Sequence, residues 1–129
     1  MERIRDQKPF FMPNPYACVS FVYEQDAAGF LATLLEREPS SDCVNCASLE
    51  PIELRELMQL IGRLLGQTPL FAADATLGDS SPYGFEGHCT LDLRKLSELY
   101  RFAPQPIPTW LPGLVPAPTC EKRAELRKT

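Results

Sequence analysis

The sequence lacks a long apolar run and a basic excess, and each absence excludes a class of protein. No segment approaches the eighteen or so consecutive apolar residues that span a bilayer, so we expect no membrane-spanning helix. The net charge is −4 and the pI about 5.0, which is the opposite of the basic surface of a nucleic-acid-binding protein. Residues 1–8 are mostly charged or polar and a proline-rich stretch follows, which does not resemble a secretory signal.

Catalytic motifs are missing as well. Histidine occurs once, at His88, and no GxSxG, HExxH, GxxxxGK[ST] or GxGxxG pattern is present. A catalytic triad around His88 would need a serine or cysteine as the nucleophile and an aspartate to orient the imidazole. No motif places such side chains beside His88. The candidates are Ser80, Ser81, Cys89, Asp74, Asp79 and Asp92. We therefore predict a protein that is not an enzyme and binds no cofactor, with a small hydrolase-like enzyme around His88 as an alternative.

The five cysteines are odd in number and do not form a disulfide framework in the sequence pattern. Free thiols are typical of a reducing compartment, so we expect a cytoplasmic protein. Cys43 and Cys46 have the spacing of half a zinc site, but a structural zinc ion needs four ligands. Cys18, His88, Cys89 and Cys120 supply no second pair at that spacing. A zinc-stabilised module that uses Cys43 and Cys46 is therefore only an alternative.

Residues 51–65 carry the strongest secondary-structure signal in the chain. Apolar residues recur there at steps of three and four, which predicts an amphipathic helix. Pro51 suits the first helical position and Gly66 the residue just past the end. Ile52 and Leu60 widen the apolar stripe, and Gly62 would let a second backbone come close.

Shorter patterns surround this helix. Residues 16–23 and 86–91 alternate in the manner of two strands that could pair. For residues 16–23 a helix is the alternative, because Asn14-Pro15 resembles a helix cap followed by proline in the first turn. Asp26 and Asp92 resemble caps of helices that run to about Arg37 and Phe102. The buried face predicted for the first of these helices contains Ala27, Phe30, Leu31, Leu34 and Leu35. The pattern predicts an α+β domain of about three helices with a two- or three-stranded sheet, and a mostly α fold is the alternative.

Prolines concentrate at both ends. Residues 1–15 are predicted to form an extended arm, residues 16–102 the globular domain, and residues 103–129 a proline-rich strap with a charged tail. The prolines at 104–118 are expected to prevent both helix and central strand. Large apolar residues in both arms favour packing on the same chain, although exchange with a second chain is the alternative.

The most consistent interpretation is a regulatory protein that binds another protein, such as an inhibitor or anti-activator, an immunity protein or an adaptor. The acidic charge favours a partner with a basic surface. The wide stripe of residues 52–65 and the apolar arms predict the contact surface, and a twofold copy of the chain would make a homodimer. The predicted interface residues are Ile52, Leu60, Gly62, Phe71, Trp110 and Leu111.

Overall fold

The computed structural model describes residues 1–74, 79–80 and 86–116, and shows the α+β domain that the sequence predicts. The predicted charged tail, Cys120 and most of the 75–85 connection lie outside these residues. Within the described residues, five helices accompany two short two-stranded sheets. Their order is α1 Glu2–Arg5, β1 Phe10–Phe11, β2 Cys18–Val19, α2 Glu24–Leu35, β3 Ile52–Glu53, α3 Leu54–Leu65, β4 Asp79–Ser80, α4 Arg94–Glu98 and α5 Ile107–Leu114.

Helix α3 is the predicted central helix, but it begins three residues later than expected. Ile52 and Glu53 are extended and pair with Val19 and Cys18 in an antiparallel ladder. The first amides of α3 find acceptors in the strand segment before β2: Leu54 donates to Ala17 at 3.0 Å and Arg55 donates to Pro15 at 2.8 Å. These bonds satisfy donors that a helix start leaves free. At the other end Gly66 has φ 67°, the left-handed conformation that glycine adopts at helix ends.

The predicted pairing between the two strand-like segments is confirmed. Val19 forms a parallel bridge with Cys89, whose amide donates to Cys18 at 2.8 Å while its carbonyl accepts from Ser20 at 3.0 Å. A second sheet joins β1 to β4 in parallel, and Phe10 also bridges Phe71. Both sheets are short, with two paired residues in each strand.

Helices α2 and α4 lie close to the predicted positions, with different ends. Asp26 is not a cap, because its side chain is buried in the first turn of α2. Helix α4 ends at Glu98 rather than Phe102, and Arg101 has φ 52°, a conformation that a helix cannot contain.

The prediction that prolines prevent a helix in the strap is wrong. Residues 107–114 form α5, whose first turn includes Pro108, where no backbone hydrogen bond is lost. Pro112 does remove one bond inside the helix. Burial of Ile107, Trp110 and Leu111 offsets that loss, because each apolar side chain removed from water stabilises the fold by roughly 1.5–3 kcal/mol.

Residues from both ends of the described chain belong to one buried cluster. Both arms therefore pack on their own domain, which is the arrangement that the sequence favours. Ile4 and Phe10 enter it from the N-terminal arm, and Trp110 and Val115 enter it from the strap. Tyr23 stacks on Trp110 with ring centroids 5.2 Å apart. The described helices are all too short or too polar to cross a bilayer.

Candidate protein-binding surface

The residues predicted as an interface lie in or against the core of their own chain. Ile52, Trp110 and Leu111 are buried members of the main cluster, and Leu60 and Phe71 are partly buried against it. Gly62 is also buried. A second chain could use this side of α3 only if the core opened.

Gly62 does permit a close approach, but the neighbour belongs to the same chain. A Cβ at this position would lie 2.6 Å from the carbonyl oxygen of Gln67 and 2.7 Å from Cδ of Pro69. The chain therefore folds back over α3 directly after Gly66. Phe71 continues this path, with its ring 5.1 Å from that of Phe10 and the Arg55 guanidinium above its face.

The cysteine pair does not form a metal site with other described residues. Cys43 is exposed and Cys46 is half-buried. Burial raises the pKa of the Cys46 thiol, and the carboxylate of Asp26 raises that pKa further. A raised pKa leaves less thiolate, which is the form that binds metals and attacks substrates. Across residues 1–74 and 86–116, no three potential ligands are grouped in a way that could hold a metal ion.

His88 holds a strand in place. Its Nδ1 accepts a hydrogen bond from the amide of Cys18 at 3.0 Å, which ties the 86–91 segment to β2. Asp92, the proposed orienting group closest to His88 in the sequence, has another partner: its Oδ2 accepts from Nε of Arg94 at 2.8 Å. Hydrogen bonding to Arg94 lowers the pKa of Asp92 to about 2. Of the proposed nucleophiles, Ser81 lies outside the described residues.

Helix α2 carries an exposed apolar face, although the sequence pattern predicts that these residues lie in the core. Leu31 is 62% exposed and Leu35 is 88% exposed, so their predicted burial is wrong. Ala28 and Ala32 are exposed on the same side of the helix. The spacing i, i+3, i+4 and i+7 places these four residues in one continuous stripe. We call Ala28, Leu31, Ala32 and Leu35 the α2 face.

The opposite side of α2 is fixed to the domain by aromatic rings. Phe30 is buried and lies 5.4 Å from the ring of Tyr100 and 5.2 Å from that of Phe102. Asp26 accepts hydrogen bonds from the backbone amide and the side-chain amide of Gln105, at 2.8 and 3.2 Å. These contacts fix the rotation of α2 about its axis, so the α2 face points away from its own domain.

The border of the α2 face is acidic. Glu24, Glu36 and Glu38 are exposed, and none of them forms an ion pair with another described residue. No lysine or arginine occurs within α2. Arg37, which follows α2 in the sequence, turns toward the domain, where it lies 4.6 Å from the centre of the Tyr100 ring and donates to the carbonyl of Leu99.

A polar cluster joins the loop before α3 to α4. Lys95 bonds the carboxylate of Asp42 and the carbonyl of Cys43, and the Tyr100 hydroxyl donates to Asp42 at 3.0 Å. These bonds lower the pKa of Asp42, with the Lys95 bond as the largest cause. A groove of about 380 Å³ lies against α4. Its apolar lining is Leu49, Leu91, Leu93, Leu96, Phe102 and Pro104.

No protein-family model matches the sequence, and no curated protein matches it.

The sequence does contain a signal for the α2 face. Residues 24–35 hold apolar side chains on two sides, around Phe30 and Leu34 and around Leu31 and Leu35. A helix resting on a small domain buries only one such stripe. The structure assigns the core side to Phe30, because Tyr100 and Phe102 provide its partners.

Proposed function

We propose that the protein is a non-enzymatic regulator or adaptor that acts by binding another protein, and that the α2 face is its contact surface. The observation that carries the proposal is the exposure of Leu31 and Leu35 on a helix whose other side is fixed to the domain. Free thiols at Cys18, Cys43, Cys46 and Cys89 are consistent with a cytoplasmic setting, which we include in the proposal.

The exposed leucines of the α2 face are unfavourable in water. Each exposed leucine leaves apolar surface hydrated, and covering that surface is worth roughly 25 cal/mol per Å². Single exposed apolar residues are common, whereas a contiguous stripe with a polar border is typical of a surface that binds a partner. The α2 face has both features, because its apolar residues are contiguous and Glu24 and Glu36 lie beside them.

The predicted self-association through α3 is not retained, because the side chains on which it depended are covered within one chain. A second copy of the chain could still occupy the α2 face, and the experiments below distinguish that occupant from a different protein.

The test replaces two exposed leucines at a time. Leu31→Ser with Leu35→Ser removes the centre of the α2 face, and Leu70→Ser with Leu114→Ser removes two exposed leucines elsewhere. Both double variants should keep the circular dichroism of the unmodified protein. Quantitative mass spectrometry after affinity capture should show a protein retained by the unmodified and control forms. The same protein should be depleted at least about tenfold with the α2-face variant, since a loss of about 1.4 kcal/mol changes affinity tenfold.

Equal retention of every protein by the two double variants would show that α2 is not the contact surface. Retention of nothing by any form, under conditions where the chain is folded, would contradict binding as the function.

A further inference from the structure

We propose that the occupant of the α2 face is an amphipathic helix of another protein, with lysine or arginine side chains beside a narrow apolar seam. This inference rests on the proposed function of the face and adds the chemistry of the partner. Two observations carry it: the alternation of small and large side chains along the face, and the unpaired carboxylates at its border.

The shape of the face suits a helix. Ala28 and Ala32 leave shallow positions, while Leu31 and Leu35 project beside them. A helix packs by placing its large side chains into such shallow positions and its small ones against the projecting leucines. Helix α2 has 12 residues, which corresponds to a length of about 18 Å. A partner helix of about three turns would therefore match the whole face.

The charge of the face specifies the border of the partner. Glu24 lies at the N-terminal end of the stripe, and Glu36 and Glu38 lie at or beyond its C-terminal end. The C-terminal end of a helix already carries a partial negative charge. The two glutamates there make the local electrostatic potential more negative, which is unfavourable. Arg37 is held against Tyr100 and does not reach the face. Lysine or arginine on the partner would supply the missing opposite charge.

A second copy of this chain fits the face less well. An antiparallel copy centred between Leu31 and Ala32 would bring Glu24 of each helix near the residue 36–38 end of the other. A parallel copy would place each glutamate beside its own equivalent. Both arrangements juxtapose like charges, which opposes association. Repulsion between like charges therefore favours a different, basic helix as the partner over a second copy of this chain.

The experiment uses three synthetic peptides of about three helical turns that share one alanine and leucine seam. They carry lysine, glutamine or glutamate at the positions beside the seam, and a hydrocarbon staple on the far side keeps each one helical. Fluorescence anisotropy measures the affinity of each peptide for the full chain. We expect the lysine peptide to bind on the order of tenfold more tightly than the glutamate peptide, because the exposed glutamates attract the first and repel the second.

Two protein variants identify the source of any preference. Glu24→Gln with Glu36→Gln and Glu38→Gln should reduce the preference for lysine to less than about twofold while keeping binding of the glutamine peptide. Leu31→Ser with Leu35→Ser should abolish binding of all three peptides. Raising the salt concentration should weaken the lysine peptide alone, because exposed charges are screened.

Three results would overturn the inference. Equal affinities for the three peptides, all lost in the leucine variant, would leave the α2 face as a binding surface and remove the basic partner. A dimer detected by light scattering that the leucine variant dissociates would identify a second copy as the occupant. Failure of every peptide to bind a monomeric chain would remove the helical partner, and the capture experiment would then decide independently whether the face binds a protein at all.

Discussion

Gly62 marks the closest approach between α3 and the segment that follows it. A methyl group at this position would lie within 3 Å of both Gln67 and Pro69, whose backbone and ring cannot move aside easily. Gly62→Ala is therefore expected to destabilise the protein by about 1–3 kcal/mol, the usual cost of inserting an atom into a packed site. Urea denaturation followed by circular dichroism measures this change in the free energy of unfolding.

Gly113 provides the matched control for this substitution. It also lies in a helix, but a Cβ there would meet no atom within 4 Å. Because alanine is the better helix former, Gly113→Ala should stabilise the protein by roughly 0.5–1 kcal/mol. Equal effects of the two substitutions would show that helix propensity, rather than the contact with Pro69, decides the outcome at Gly62.

Ser48 and Trp110 form a buried polar pair. The indole Nε1 of Trp110 donates to Oγ of Ser48 at 3.0 Å. Ser48→Ala would leave that donor without its partner, and we expect a loss of about 1–3 kcal/mol in the free energy of unfolding. The change can be followed by fluorescence, since Trp110 is the single tryptophan in the chain. Ser97→Ala, at an exposed serine of α4, should change stability by less than about 0.5 kcal/mol.

At this scale the sequence could predict that Gly62 allows a close contact, but not which backbone makes it. A glycine leaves free the space that another residue's side chain would fill. Either a second chain or another part of the same chain can occupy that space. Likewise Trp110 was identifiable as an apolar residue among prolines. The hydrogen bond to Ser48, a residue 62 positions earlier, depends on the folded path of the chain.

At the scale of elements, Asp42 connects the loop before α3 to α4, and this connection should depend on pH. Bonds from Lys95 and Tyr100 lower the pKa of Asp42 in the folded protein. The folded state therefore gains stability above the unfolded pKa, near 3.8, and loses it as the pH falls through the lower folded value. We expect the free energy of unfolding to fall less steeply below about pH 4 in Asp42→Asn than in the unmodified protein.

Glu38→Gln supplies the comparison for this pH prediction. Glu38 is exposed and forms no ion pair with another described residue. Its substitution should leave the slope of stability against pH close to that of the unmodified protein. If Asp42→Asn and Glu38→Gln give the same slope, the bonds of Asp42 do not contribute to stability.

The type of most elements could be predicted, but their ends and their partners could not. The period of residues 54–65 indicates a helix because apolar residues recur every three or four positions. The extended state of Ile52 and Glu53 depends instead on Cys18 and Val19, which offer a strand to pair with. For α5, the prolines predict that no helix forms, yet the chain tolerates Pro108 and Pro112 where Ile107 and Trp110 reach the core.

For the whole molecule, the buried cluster makes the two ends of the described chain mutually dependent. Ile4 is 2% exposed and belongs to the same cluster as Ile107. Ile4→Ala should therefore destabilise the protein by about 2–5 kcal/mol, a typical cost for a buried isoleucine. Differential scanning calorimetry should show a single transition at a lower temperature.

Leu35→Ala is the control for this prediction. Leu35 is larger than alanine by a similar amount but is 88% exposed, so its loss should change stability by less than about 0.5 kcal/mol. If Ile4→Ala were equally neutral, α1 would contribute nothing to the stability of the domain. The contrast between the two substitutions also separates the core from the proposed contact surface.

The candidate surface could be predicted from the sequence only as a class. An acidic chain with surplus apolar residues and no catalytic motif indicates a protein-binding function, and that remains the proposal. The predicted location differs from the proposed one, because the apolar character of Leu31 and Leu35 is the same in the sequence as that of Phe30 and Leu34. Which stripe of α2 faces water depends on Tyr100 and Phe102, some 70 residues away along the chain.

The shared core also determines when the protein can fold during its synthesis. A ribosome releases the N-terminal part of a chain first, so Ile4, Phe10 and Met12 emerge long before the residues of α5 that belong to the same cluster. Contacts this distant in sequence form slowly, and the uncovered apolar residues are open to wrong partners in the interval. Folding around this cluster should therefore be completed only after α5 has been made.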